Sequence, residues 1–284
     1  MNPEQRKFVD IEKIIGEKNP RLLKALPGFI LRYIKRVLHE NDVNDFMRRY
    51  GHLKGLDFAE AIIKDFNITV RVKGLEHLPD DKGFYVASNH PLGGLDGIAL
   101  IYAVAQKRKD VRFLVNDILM HLKPLNTIFI PVNKHGSQHS IQLIEETYKS
   151  DHAVLIFPAG LVSRKIEGKI RDLEWKKSFV SKAQQYHKPV VPAFIDGKNS
   201  SFFYNLALWR KRFGIKANIE MFYLADEMYK QRNKTITIIF DQPVPHQAFD
   251  KSKSQRDWAQ LMREHIYALG ENRKGPFTGI HKKD

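Results

Sequence analysis

The chain contains no cysteine. That excludes a disulfide framework, thiolate zinc sites and a thiol nucleophile, and it fits a reducing compartment. It also lacks any run of about 18 apolar residues, because charges interrupt every hydrophobic stretch, so a conventional spanning helix is excluded. Residues 1–17 carry both signs of charge and lack the apolar core of a secretory signal, so the chain is expected to stay in the cytoplasm. Acidic residues are in deficit: 32 Asp and Glu face 47 Lys and Arg, a formal charge of +15. An anionic partner is implied, whether nucleic acid, an acidic membrane face or an anionic substrate.

What is present is the composition of a folded protein. With 284 residues, of which 43% are hydrophobic, the chain is long and apolar enough for a sizeable core. Residues 21–39 hold five basic residues and no acidic one, and after Pro27-Gly28 the apolar Phe29, Ile30, Tyr33, Ile34, Val37 and Leu38 recur at helical spacing. Arg32, Lys35 and Arg36 fall on other faces. Such a basic amphipathic helix suits a bilayer interface equally with packing on its own domain, since periodicity does not name the apolar partner.

From residue 68 onward, β-branched runs alternate with helical ones. Strands are predicted over 68–72, 84–88, 111–115, 128–132, 153–157, 189–195 and 235–240, and helices over 97–107, 138–148, 175–186 and 257–269. The alternation predicts an α/β fold: a central mixed, largely parallel sheet flanked by helices. The simplest partition is an N-terminal amphipathic helical, membrane-interacting segment over 1–66 and the α/β domain over 67–284.

Two stretches carry candidate chemistry. Residues 84–100, F-Y-V-A-S-N-H-P-L-G-G-L-D-G-I-A-L, run from an apolar strand into Asn89-His90, then a Gly-rich turn, with Asp96 where a helix would begin. Asp96 there can serve as an N-cap. The Gly93-Gly94 pair also lets the chain fold back so that the carboxylate meets the imidazole of His90, the minimum for general-base work on a hydroxyl. Residues 153–165, A-V-L-I-F-P-A-G-L-V-S-R-K, again pass from a strand into a Pro-Gly turn and present Gly160, Ser163 and Arg164. Alone they read equally as a solvated basic loop.

Together these stretches resemble the glycerolipid acyltransferases typified by lysophosphatidic acid acyltransferases. The matching positions are Asn89, His90 and Asp96; residues 128–134; Phe157 to Arg164; and residues 190–194. Three departures stand out: five residues rather than four separate His90 from Asp96, Ala159 replaces the motif glutamate, and Asn133 and Lys134 stand where arginine is usual. The family's arginine and glutamate help hold a glycerol phosphate acceptor, so these departures imply a different acceptor. N-H-P-L-G-G-L-D-G with F-P-A-G looks more like the haemolysin-like branch, which includes O-acyltransferases making ornithine and glycine lipids. The likeness extends over about residues 26–245.

The resemblance implies an acyl transfer in lipid biosynthesis, from a thioester on acyl carrier protein or coenzyme A to the hydroxyl of an N-acyl amino acid, with no cofactor. His90 would be the base, Asp96 its partner, and backbone N–H groups at Gly93, Gly94 or Gly160 the oxyanion donors. Arg164, Ser163, Asn133 and Lys134 would hold the acceptor headgroup, with Arg164 forking onto its carboxylate and Ala159 removing a repulsive charge. The expected location is peripheral, on the cytoplasmic face of the inner membrane. The alternatives are a glycerolipid acyltransferase acting on a lysophospholipid and a non-catalytic basic membrane- or nucleic-acid-binding protein.

Residues 198–219 add five basic and no acidic residues, interleaved with Phe202, Phe203, Tyr204, Trp209 and Phe213. They read as an amphipathic helix covering the sheet, as a headgroup-region contact or as a stacking surface for single strands. No recognisable nucleic-acid module accompanies them, and no nucleic-acid partner is expected. Of twelve histidines, His135, His139 and His152 are close in sequence, but without an H-E-x-x-H pattern no metal is expected.

Overall fold

The computed structural model describes residues 7–132, 138–273, 275 and 277. Five helices open the chain: α1 (Ile11–Lys18), α2 (Pro20–Ala25), α3 (Gly28–Val37), α4 (Glu40–Tyr50) and α5 (Gly55–Asp65). Then come β1 (Thr69–Lys73), β2 (Phe84–Ser88), α6 (Leu95–Val104), β3 (Val111–Val115), β4 (Phe129–Pro131), α7 (Gln138–Lys149) and β5 (Ala153–Ile156). A short hairpin, β6 (Arg164–Ile166) and β7 (Lys169–Arg171), precedes α8 (Ser178–Tyr186) and β8 (Val190–Asp196). The chain continues through α9 (Ser201–Arg212), α10 (Leu224–Tyr229), β9 (Thr235–Phe240) and α11 (Gln255–Gly270).

Seven strands form one mixed sheet in the order β1-β9-β8-β2-β5-β3-β4. Every neighbouring pair is parallel except β8 with β9. The α/β expectation therefore holds, with mostly parallel strands flanked by helices. Side chains alternate across the sheet, as the two-residue repeat of a strand requires. On β2, Phe84 and Val86 face a core that includes α5 and α6, whereas Tyr85 and Ala87 face a second core with Trp175, Phe179, Trp258 and Met262. All five residues of β2 are buried, which is why the strand reads as an unbroken apolar run.

The proposed boundary at residue 66 does not separate two cores. Phe46 of α4 and Phe58, Ala59 and Ile63 of α5 belong to the same buried cluster as Val86, Leu100 and Ile238. Helix α3 keeps the expected amphipathic form in part: Val37 is buried, while Phe29 and Tyr33 are exposed.

The chain leaves β2 through α6 toward β3 and β4 on one side, and β8 with β9 fills the other. Such a reversal opens a crevice at the carboxyl ends of the central strands. There β2, β5 and β8 end at Ser88, Ile156 and Asp196.

Candidate active site

Asn89 explains how the chain turns off the sheet. Its Oδ1 accepts from the Ile195 N–H (2.7 Å) and its Nδ2 donates to the Ile195 carbonyl (2.9 Å). The side chain thus continues the β2–β8 ladder, and the backbone of the next residue is free to depart. Gly93, at φ +82°, then bends the segment in a conformation open to glycine. The five residues between His90 and Asp96 make up this bend.

The bend brings His90 Nδ1 to 2.9 Å from Asp96 Oδ2. Asp96 is fully buried and the His90 side chain 17% exposed. Asp96 is not the N-cap: α6 begins at Leu95, the cap is Gly94, and Asp96 lies inside the first turn. Its Oδ2 also accepts from the N–H groups of Leu92 (2.7 Å) and Gly93 (3.2 Å), and Oδ1 accepts from Gly94 (3.0 Å) and Gly97 (2.9 Å). Burial alone would raise the carboxyl's pKa, but the His90 imidazole and these N–H donors hold it below its ordinary value. For His90, burial pushes downward. The Asp96 charge and hydrogen bond outweigh it, Asp172 adds to the rise, and Arg164 opposes it. Among the described residues nothing hydrogen-bonds His90 Nε2.

The second motif braces this pair. Phe157 stacks on the imidazole with ring centroids 4.1 Å apart and planes 20° from parallel. The Ser163 N–H donates to the His90 carbonyl (2.8 Å). The β6–β7 hairpin turns at Glu167 and Gly168, both with positive φ, a pattern suited to two-residue hairpin loops. Its register pairs Arg164 with Arg171, so Ser163 and Asp172 come to face each other.

Asp172, which the motifs did not reveal, is fully buried. It accepts from the His90 N–H (3.2 Å), Ser163 Oγ (2.5 Å) and Trp175 Nε1 (2.9 Å). Burial pushes its own carboxyl above the ordinary range against these donors.

The expected headgroup ligands are placed differently. Ser163 is buried and its hydroxyl is committed to Asp172. Arg164 is 4% exposed; its Nη1 donates to the Val162 carbonyl (2.9 Å) and its Nη2 pairs with Glu220 (3.1 Å). The fully buried Glu220 also binds Arg210 Nε at 2.8 Å. A free Arg164 fork is therefore absent, and a cluster of two guanidiniums against one carboxylate stands in its place. Ala159 packs into the core with Trp175 and Phe179 rather than facing an acceptor. The expected oxyanion donors are also engaged: Gly93 and Gly94 with Asp96, and Gly160 with the Phe157 carbonyl (3.0 Å). Asn133, Lys134 and His135 lie outside the described residues. His152 Nδ1 contacts Ser150 Oγ at 2.6 Å, and among the described residues no three His, Asp or Glu side chains gather as metal ligands.

A mostly parallel α/β sheet with a His–Asp pair and a buried basic cluster at its carboxyl edge fits acyl transfer to a hydroxyl. Residues 13–274 match the sequence profile of the acyltransferase family. The chain belongs to that family and is an acyltransferase. It is similar over nearly its whole length to two proteins named lyso-glycine lipid O-acyltransferase. The one from Phocaeicola vulgatus is 45% identical over 265 residues, covering 92% of this chain and 95% of the relative. The one from Bacteroides thetaiotaomicron is 44% identical over 265 residues, covering 92% and 97%. A more distant likeness, with 16% identity and a TM-score of 0.45 over 92% of this chain and 98% of the other, is to the crystal structure of the 1-acyl-sn-glycerophosphate acyltransferase PlsC from Thermotoga maritima.

Proposed function

We propose that the enzyme transfers a fatty acyl group from a thioester, on acyl carrier protein or coenzyme A, to the hydroxyl of an N-acyl amino acid lipid of the lyso-glycine type. The acceptor class rests on the names of the two relatives. The chemistry rests on one observation: His90 Nδ1 is held by the buried Asp96 carboxylate, leaving Nε2 as the basic nitrogen.

In this reading Nε2 takes the acceptor's hydroxyl proton as the oxygen attacks the thioester carbonyl. Asp96 stabilises the imidazolium that forms. When the tetrahedral intermediate collapses, the C–S bond breaks and the departing sulfur recovers the proton from His90. The base is then neutral for the next turnover, and no acyl-enzyme is needed. Phe157 keeps water from one face of the ring. The Arg164–Glu220–Arg210 cluster leaves one positive charge beside the site, so it favours an anionic headgroup through its field rather than through a direct fork.

Purified enzyme given an acyl thioester is expected to O-acylate an N-(3-hydroxyacyl)glycine, and His90→Ala to abolish the transfer. Preference for lysophosphatidate over the glycine lipid would overturn the acceptor assignment. Full transfer by His90→Ala would overturn the role of the base.

A further inference from the structure

Helix α9 and the segment after it present two unlike sides. On the inner side Phe203, Tyr204, Ala207 and Arg210 are buried, and Phe203 and Tyr204 close a small core with Val162. Leu224 completes that side against the catalytic turn: a Cβ built on Gly93 would lie 2.7 Å from Leu224 Cδ2. On the outer side every residue from 211 to 219 is exposed. Trp209 and Phe213 expose 66% and 70% of their surface, far more than rings of that size retain without a reason.

This outer side is continuous with α3. Tyr33 and Tyr223 join their hydroxyls at 3.0 Å, and the Phe202 ring meets that of Tyr223 at 4.9 Å. The exposed Lys211, Arg212 and Lys216 lie among the apolar side chains, and α3 adds exposed Arg32 and Arg36. The nearby carboxylates are already paired: Glu220 with Arg164 and Arg210, Asp226 with His39 and Lys230, and Glu227 with Lys230. Aromatic rings and unopposed cations on one surface match the headgroup region of an anionic leaflet.

We propose that α9 and residues 213–222, together with the outer side of α3, form a surface that docks on an anionic membrane leaflet. Trp209 and Phe213 enter the headgroup region while Lys211, Arg212 and Lys216 meet the anionic lipids. The inner side of the same region packs against the catalytic turn through Leu224 and Gly93, so the docked surface lies next to the site. An acidic carrier protein would match the cations but would leave the paired aromatics without an apolar environment. The surface is independent of which headgroup the enzyme accepts.

Trp209 is a built-in probe, because Trp175 and Trp258, the two other tryptophans, are buried. Full-length protein is titrated with vesicles of phosphatidylcholine alone and of phosphatidylcholine with phosphatidylglycerol, with and without brominated acyl chains. With the anionic vesicles, emission is expected to shift to shorter wavelength and to be quenched by the bromines. Trp209→Phe should abolish both signals. Replacing Lys211, Arg212 and Lys216 with Gln should weaken partitioning on the order of a hundredfold, at roughly fivefold per cation. The same variant should acylate a detergent-dispersed acceptor at the wild-type rate, which separates docking from catalysis. Unquenched Trp209 emission on vesicles that sediment the protein would overturn the proposal. So would equal partitioning onto neutral vesicles, or an emission shift given by soluble acyl carrier protein and not by vesicles.

Discussion

Both oxygens of Asp96 accept more than one hydrogen bond, so an asparagine would turn its NH2 group against N–H donors in either orientation. Asp96→Asn is expected to lower turnover on the order of a hundredfold or more, by analogy with other His–carboxylate pairs, and also to lower the melting temperature. Stopped-time acylation assays beside a thermal melt check both; near-normal turnover in folded protein would remove Asp96 from the chemistry. The pH dependence follows from His90, whose pKa is held above its ordinary 6.5 mainly by Asp96 against the downward push of burial. A base must be neutral to accept a proton, so kcat/KM should fall as pH drops through that raised value. Asp172 is a positioning residue: it holds the His90 N–H, and its charge also favours the imidazolium. Asp172→Asn should therefore reduce kcat and move the acidic limb of the profile to lower pH. A lost rate with an unmoved limb would leave Asp172 a purely structural role.

At the scale of elements, the F-P-A-G stretch changes meaning once it is folded. It supplies the ring that stacks on His90 and the strand end that leads to the β6–β7 hairpin, while Ala159 fills core space beside Trp175. Ala159→Glu should thus bury a carboxylate among apolar side chains and destabilise the protein by several kcal/mol, rather than tune the acceptor KM. Urea unfolding of the variant, with acceptor kinetics on whatever stays folded, distinguishes the two. Strands β2, β3 and β9 were legible to the residue, because each is a β-branched and aromatic run with polar or turn residues at its ends. The hairpin was not: each arm has three residues, mostly charged, and only Glu167-Gly168 marks the turn. The His–Asp pair was legible because its members are six positions apart on one turn. Asp172 reaches the His90 N–H across 82 positions and Glu220 reaches Arg164 across 56, partnerships set by tertiary packing that no local spacing records. Arg164 was for that reason expected to be open, although its partner lies just past the stretch that reads as wholly basic.

At the scale of the whole molecule, helices α4 and α5 are part of the core that lines the sheet. Phe58 is 2% exposed in the cluster that lines one side of the sheet, and Phe58→Ala is expected to cost about 3–5 kcal/mol. A fragment of residues 67–284 should accordingly be insoluble or molten. A cooperative melt from that fragment at the full-length temperature would restore the two-part division. The sheet also constrains the order in which the protein comes into being. Among the described residues the sole ladder partner of β1 is β9, and their register begins at Thr69 with Thr235. During synthesis at about 5–20 residues per second, β1 emerges on the order of ten seconds before its partner exists. For that interval the nascent chain holds an unpaired strand and the apolar sides of α5 and α6, so it depends on the ribosome surface or a chaperone to keep them from sticking elsewhere.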